Sequence, residues 1–360
     1  MQLTPEQQHA VDAFGRLYRG EVRRLKLGGY AGTGKTTIVR AILDRYGARD
    51  IAVCAPTGKA AHVLRCKGVD ACTLHSLIYM PRGVDDDGQP VFGRTRTRMP
   101  RVVIVDEASM LSTDLVRDLE AIVRHVFYVG DHGQLEPIGD DPGLMSSLDI
   151  RLETIHRQAT DSPILDFAHH VRMDGEPKSF GPAARVQDGW SKRASDLVDF
   201  DVVLVGYNRT RVSVNAWMRK YREFTSETDM SQIPKVGEVV ICLRNYKHAE
   251  VWNGMRGIVT EIDPVRRRMS VDTDDGPREG LLFRPEQFGK PTTLPWTRSR
   301  RPEDAPTYWD HGYALTCHKF QGSEAERVAV VEEIAPSWSA SRWRYTAATR
   351  ASKELRWILK

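Results

Sequence analysis

Gly29-Tyr30-Ala31-Gly32-Thr33-Gly34-Lys35-Thr36 fits the pattern G-x-x-x-x-G-K-[ST] at every fixed position, after an apolar strand signal and at the start of a helical one. The chemistry needs these residue types. Glycines let backbone N–H groups turn inward around phosphate oxygens, and the positive end of the following helix adds to the field. The Lys35 ammonium would reach the β- and γ-phosphates, and the Thr36 hydroxyl would ligate Mg²⁺. Gly29, Gly32, Thr33, Gly34, Lys35, Thr36 and Thr37 are therefore the candidate nucleotide-binding positions. Asp106-Glu107 directly follows Val102-Val103-Ile104-Val105. At the end of a buried strand beside a phosphate loop, Asp106 would hold Mg²⁺ and Glu107 would polarise the attacking water as general base. An acidic helix start at Ala108 is the other reading. It does not explain why an acidic pair closes the most apolar strand of a chain that also carries a phosphate loop. Together the two motifs imply hydrolysis of a nucleoside triphosphate.

The elements that must position these residues read as an α/β chain. Val22, Leu25 and Leu27 lead into the glycine turn, and Ile38, Val39, Ile42 and Leu43 then recur at helical spacing. Ile51-Ala52-Val53-Cys54-Ala55, the 102–105 run and Phe127-Tyr128-Val129 are short apolar runs of the kind buried parallel strands give. Between residues 78 and 100 the pattern breaks into polar turn signals, with Asp87-Gly88 as a hairpin cue. Arg94, Arg96 and Arg98 alternate with threonines there, which would put three arginines on one side of a strand. This is a small protruding β insertion or a solvated surface loop. Val202-Val203-Leu204-Val205 opens a second α/β unit. Short close-spaced strands at about residues 234–300 read as an all-β module within it.

Composition sets the outer bounds. At about 150 residues per domain, 360 residues suggest two main domains with a small insertion. An apolar content of 41% excludes wholesale disorder. No apolar run approaches the roughly 20 residues of a membrane span, and the start of the chain lacks a secretory layout, so no membrane partner is expected. Five cysteines, odd in number and never in C-x-x-C, argue against a disulfide framework and a zinc site and for a reducing compartment such as a cytoplasm. A net charge of +4 permits a nucleic-acid partner without showing one.

A further ordered series of motifs resembles the superfamily 1 helicases, specifically the 5′→3′ superfamily 1B branch typified by RecD and phage Dda. The likeness runs from Leu3 to about Ser352. Leu3-Thr4-Pro5-Glu6-Gln7-Gln8 is similar to the motif whose glutamine, here Gln7, recognises adenine; a Thr4 cap on an amphipathic helix reads equally well. Pro56, Thr57 and Lys59 lie in a match to motif Ia, and His75 in the next DNA-facing motif, where a structural histidine is the competing reading. Gly130-Asp131-His132-Gly133-Gln134 resembles motif III, which makes Gln134 a γ-phosphate sensor; Glu136 stands where the family usually has proline. Ile155-His156-Arg157-Gln158 resembles motif IV, with Arg157 as a γ-phosphate contact. Val205 to Arg211, with Asn215, resembles the opening of the second motor domain. The stretch 310–324 matches motif V, with Thr316 and His318 toward DNA and Gly322 and Glu324 toward nucleotide. Tyr345-Thr346-Ala347-Ala348-Thr349-Arg350-Ala351 matches motif VI, whose arginine finger is Arg350.

The resemblance implies two RecA-like P-loop NTPase motor domains: 1–150, with a β-hairpin pin at about 78–100, then a connecting region and the start of the second domain at 151–233, an SH3-like β insertion at 234–300, and the rest of the second domain at 301–360. It implies ATP and Mg²⁺ as cofactors. The partners would be single-stranded and forked DNA, and replication or recombination proteins, with the chain working as a monomer. Arg157 and Arg350 would stabilise charge spreading over the γ-phosphate from across a cleft, so that hydrolysis follows closure. Trp252 would stack on a base or pack in the core. The implied activity is 5′→3′ translocation and duplex unwinding. The alternatives are a translocase that displaces proteins without unwinding, an RNA helicase, or a non-catalytic nucleic-acid binder; a nucleotide kinase leaves the second α/β unit unexplained.

Overall fold

Val102-Val103-Ile104-Val105 is buried at all four positions, which requires a sheet covered on both faces. The computed structural model describes residues 3–84, 90–137, 139–154, 162–189, 195–226, 231–297, 299, 301 and 304–360. The chain divides into two units, Met1–Gly83 with Pro90–Leu165, and one built on Asp166–Lys360.

In chain order the first unit holds α1 (Pro5–Arg19), β1 (Arg24–Gly29), α2 (Lys35–Tyr46), β2 (Ile51–Ala55), α3 (Gly58–Cys66), β3 (Ala71–Thr73), α4 (Leu74–Ile78), β4 (Tyr79–Val84), β5 (Pro90–Arg94), β6 (Val102–Val105), α5 (Thr113–Ile122), β7 (His125–Gly130) and β8 (Ile150–Leu152). Six strands form one sheet in the order β3-β2-β6-β7-β1-β8, all paired parallel. Alternate strand residues face opposite ways. Val53, Val102, Ile104 and Phe127 join α1, α2 and α3 in one core, while Cys54, Val103, Val105 and Tyr128 join α4 and α5 in another. Thr4 opens α1 as half of a reciprocal capping box with Gln7, and Gly20 ends it in the left-handed region.

β4 and β5 pair as a separate two-stranded sheet. The expected row of three arginines does not form. The strand ends at Arg94, and Arg96 and Arg98 lie beyond it. The Thr95 hydroxyl accepts from the Thr97 backbone N–H, a local turn that competes with the strand ladder.

The second unit holds α6 (Pro163–Arg172), whose first turn belongs to the preceding unit, then β9 (Ala184–Asp188), α7 (Ser195–Val198), β10 (Val202–Val205), α8 (Asn208–Tyr221), β11 (Val239–Cys242), β12 (Arg256–Asp263), β13 (Arg268–Thr273), β14 (Gly276–Leu282), β15 (Trp309–His311), β16 (Ala314–Thr316), β17 (Ala325–Val331), α9 (Ala340–Ala348) and β18 (Ala351–Leu359). A parallel sheet runs β16-β10-β17-β18-β9. An antiparallel sheet, β14-β13-β12-β11-β15, is inserted between β10 and β16 and has its own core around Phe283, Phe288 and Trp309. Half-buried Trp252 packs against that core, and Phe320 is buried.

Helix α8 joins the two sheets through side chains one turn apart. Arg211 pairs with Asp310, and the Asn215 amide bonds the His311 and Ala314 carbonyls and accepts from the Ala314 N–H. Arg219 makes a two-pronged pair with Glu238, at 2.7 and 2.9 Å, with both side chains almost wholly buried. Removing one partner of such a pair strands a buried charge. Arg219→Met is therefore expected to lower the stability of this unit by about 3–5 kcal/mol in urea denaturation followed by tryptophan fluorescence. A loss below about 1 kcal/mol, the level of an exposed pair, would contradict it.

Candidate functional site

In the first unit the parallel sheet brings the loops after β1, β6 and β7 side by side, because Gly28 registers with Gly130 and Val105 with Tyr128. The loop after β1 needs its glycines. Gly32 and Gly34 both sit at φ +82, where a side chain is strained. A Cβ on Gly29 would stand 2.6 Å from the Thr33 hydroxyl. Gly34 opens α2 without a side-chain cap, leaving the first N–H groups of the helix to a ligand. The Lys35 ammonium donates to the carbonyls of Gly29 and Tyr30, at 2.8 and 3.0 Å, and lies 4.0 Å from Asp131. Thr36 and Thr37 follow on the first turn, half-buried. Gln7 is buried, and its amide reaches the Thr33 carbonyl at 3.3 Å, so the α1 capping residue also touches the loop.

Asp106 and Glu107 leave the end of β6. Burial pushes the Asp106 carboxyl up from 3.8 to about 6, with the neighbouring Glu107 charge adding to the effect. Glu107 sits at φ +53, an unusual backbone for a non-glycine residue, and one of its carboxylate oxygens is buried without a hydrogen-bond partner among the described residues. The side-chain oxygen of Gln134 is in the same condition. Asp131 links Gln134 to Lys35. It is fully buried, accepts from the Gly133 N–H at 2.9 Å and from the Gln134 amide at 3.4 Å, and faces the Lys35 ammonium. Tyr30 packs against His132, their rings 4.2 Å apart. Two orphaned acceptors, a buried carboxylate and an ammonium parked on loop carbonyls are a donor set that fits a phosphate–cation pair.

The positions expected to face DNA occupy the other half of the same edge. Pro56, Thr57 and Lys59 follow β2, and His75 follows β3. The Thr57 hydroxyl caps α3 through the Ala60 N–H. His75 is exposed, with its ring 5.2 Å from that of Tyr79. In the second unit, Thr316 ends β16 and accepts from the Lys319 N–H, while the His318 ring lies 4.9 Å from that of Trp338. Gly322 and Glu324 precede β17 and Arg350 precedes β18, so they stand at the opposite end of the parallel strands from Thr316. Arg350 is buried and donates to the Thr346 and Ser323 carbonyls and the Thr349 hydroxyl, each at 3.1 Å. Arg157 lies outside the described residues.

The sequence reading gave no role to Asp131 or Glu333. Glu333 is buried and accepts from the Gly206 and Tyr207 N–H groups and the Thr210 hydroxyl, capping α8 from the loop after β17, the neighbour of β10. A common signal marks both: an acidic residue just past a wholly buried run, as at Asp106.

The Asp106 shift makes a pH prediction. A folded-state value raised above the unfolded one means the ionised form is penalised by folding, so stability is lost as pH rises through about 6. Without nucleotide, Asp106→Asn is expected to stabilise the chain by about 1–3 kcal/mol at pH 8 and by almost nothing at pH 4. Thermal melts at the two pH values check this, and a gain of equal size at both would contradict it.

Residues 2–188 match the AAA domain family, and residues 311–358 match the UvrD-like helicase C-terminal domain. The chain is 28% identical to the ATP-dependent RecD2 DNA helicase of Deinococcus radiodurans, over 91% of this chain and 46% of that protein. It is 27% identical to the RecBCD enzyme subunit RecD of Mycolicibacterium smegmatis, over 92% of this chain and 67% of that one. The chain thus spans less than half the length of the RecD2 relative. Its fold is similar to that of the Bacteroides Pif1 helicase solved with ADP-AlF3 and single-stranded DNA, with a TM-score of 0.62 at 19% identity, covering 99% of this chain and 92% of that one. That likeness shows a two-domain RecA-like helicase fold. With the AAA domain matched over more than half of its length, the chain belongs to that family and is a member of the superfamily 1B helicases.

Proposed function

We propose that the chain is an ATP-dependent DNA helicase that moves 5′→3′ along single-stranded DNA and opens duplex. The observation that carries this reading is the layout of one sheet edge. Phosphate-loop, carboxylate and Gln134 loops stand on β1, β6 and β7, beside the proposed DNA-facing loops of β2 and β3. Movement of the nucleotide loops is thereby transmitted to the strand-gripping ones through a shared rigid sheet.

In this reading Lys35 and the N–H groups around Gly29, Gly32, Thr33, Gly34 and Thr37 hold the phosphates, and Gln7 holds the base. Thr36 and Asp106 would hold Mg²⁺, which supplies charge neutralisation on the phosphates when bound. Glu107, with one buried oxygen that no described residue bonds, takes the proton of the attacking water. Gln134 reads the γ-phosphate and is oriented by Asp131. Arg157 and Arg350 are the cations assigned to the charge developing on the γ-phosphate. Pro56, Thr57, Lys59, His75, Thr316 and His318 hold DNA, and Gly322 and Glu324 serve the nucleotide side. The β4–β5 ribbon is the pin, and the antiparallel β11–β15 sheet is the SH3-like insertion. The domain division of 1–150, 151–233, 234–300 and 301–360 follows the same reading, as does action as a monomer on forked DNA.

Lys35→Ala should bring DNA-stimulated phosphate release down by at least about 10²-fold while weak DNA binding persists. Turnover that survives in this variant sinks the site assignment. Glu107→Gln should bind ATP with near-normal affinity and hydrolyse it about 10²–10⁴-fold more slowly. Polarity is read from paired substrates. With ATP, a duplex bearing a 5′ tail should be unwound and one bearing a 3′ tail left intact; the reverse outcome excludes the 5′→3′ assignment.

A further inference from the structure

The ribbon of β4 and β5 is held at its base by one carboxylate. Tyr79, the first residue of β4, donates its hydroxyl to one Asp118 oxygen at 2.5 Å, and Arg94, the last residue of β5, donates to the other at 2.5 Å. The Thr95 N–H closes the base onto the Ile78 carbonyl at 2.8 Å. Asp118 lies on α5, with Val116 and Leu119 beside it buried against Val103 and Val105 of β6. Leu111, on the short stretch of chain from Glu107 to α5, is fully buried in the same core. Both legs of the ribbon are therefore tied to the helix that follows Asp106 and Glu107. Bonds to an ionised acceptor are the stronger kind, and two from opposite legs fix the direction of the ribbon as one cannot.

We infer that Asp118 is a positioning residue for strand separation: by clamping Tyr79 and Arg94 it aims the ribbon and makes it follow α5, so that forked duplex opens while ATP hydrolysis and movement along single strands do not depend on it. This rests on the reading of the ribbon as the element that parts the strands. A free ribbon yields to the duplex, whereas one anchored at both legs transmits force to it.

The test uses the whole chain with three readouts: unwinding of a 5′-tailed fork, phosphate release stimulated by single-stranded DNA, and displacement of streptavidin from a biotinylated oligonucleotide. Asp118→Ala should slow unwinding by about tenfold, the effect of losing charge-assisted hydrogen bonds, with kcat and the KM for single-stranded DNA within about twofold of the parent. Tyr79→Phe, which keeps the ring and loses one bond, should give a smaller loss of unwinding alone. Asp114→Asn, an exposed neighbour on the same helix paired with Arg117, should change none of the three. Parallel loss of all three readouts in both clamp variants overturns the inference, because Asp118 then only supports the fold. Unwinding that survives Asp118→Ala overturns the clamp alone. A parent chain that hydrolyses ATP but opens no fork of either polarity overturns the helicase reading, and the clamp with it.

Discussion

A parallel sheet covered by helices on both faces leaves one region where side chains from several strands can converge on a ligand, the loops at its C-terminal edge. That constraint organises the first unit. The phosphate loop, the Asp106–Glu107 pair and the Asp131–Gln134 loop are far apart in sequence, yet they follow neighbouring strands in the order β6-β7-β1. The same edge continues through β2 and β3, which carry Thr57, Lys59 and His75. No special contact is needed to bring nucleotide chemistry next to the proposed DNA grip; strand order alone does it.

The edge is costly to keep without a ligand. Asp106 is desolvated beside a second carboxylate, Glu107 holds a left-handed backbone, and two side-chain oxygens lack partners among the described residues. Each feature disfavours the fold by about 1–3 kcal/mol. Such penalties persist only where surrounding packing over-determines the geometry, and here the flanking strands β6 and β7 are wholly buried. In the proposed reading cation and phosphate relieve the penalties together, so that binding energy goes into ordering Glu107, the proposed general base.

Much of this was legible in the residues. The phosphate loop, the acidic pair and the central strands carry strong local signals, since a run of β-branched apolar residues has few places to go except a sheet interior. Edge strands β8 and β9 escaped notice because one has three residues and the other, Ala184-Arg185-Val186-Gln187-Asp188, is half polar. The arginine row at 94–98 failed for a local reason, a threonine hydroxyl that bonds back to the chain. Asp131 carried a signal, an acidic residue just past a buried run, but its partner did not; Asp118 carried neither. Their roles depend on partners about 100 and 24–39 residues away, which only the folded chain brings near.

The polar face of α8 raises a different question, because buried ion pairs add little net stability compared with well-packed apolar residues. What they add is register. Glu238 lies just before β11, Asp310 lies within β15, and these strands are neighbours in the inserted sheet. Arg219 and Arg211, two turns apart on one helix, therefore fix the two strands against a common ruler. Asn215, between them, bonds both sides of the junction where β15 gives way to β16. An apolar stripe would tolerate a sliding or tilted insertion. Directional bonds at three consecutive turns do not, and β16 carries Thr316 only five residues beyond His311. That threonine, registered against Val205 in the parallel sheet, thus lies two residues past Ala314, which Asn215 holds at the junction.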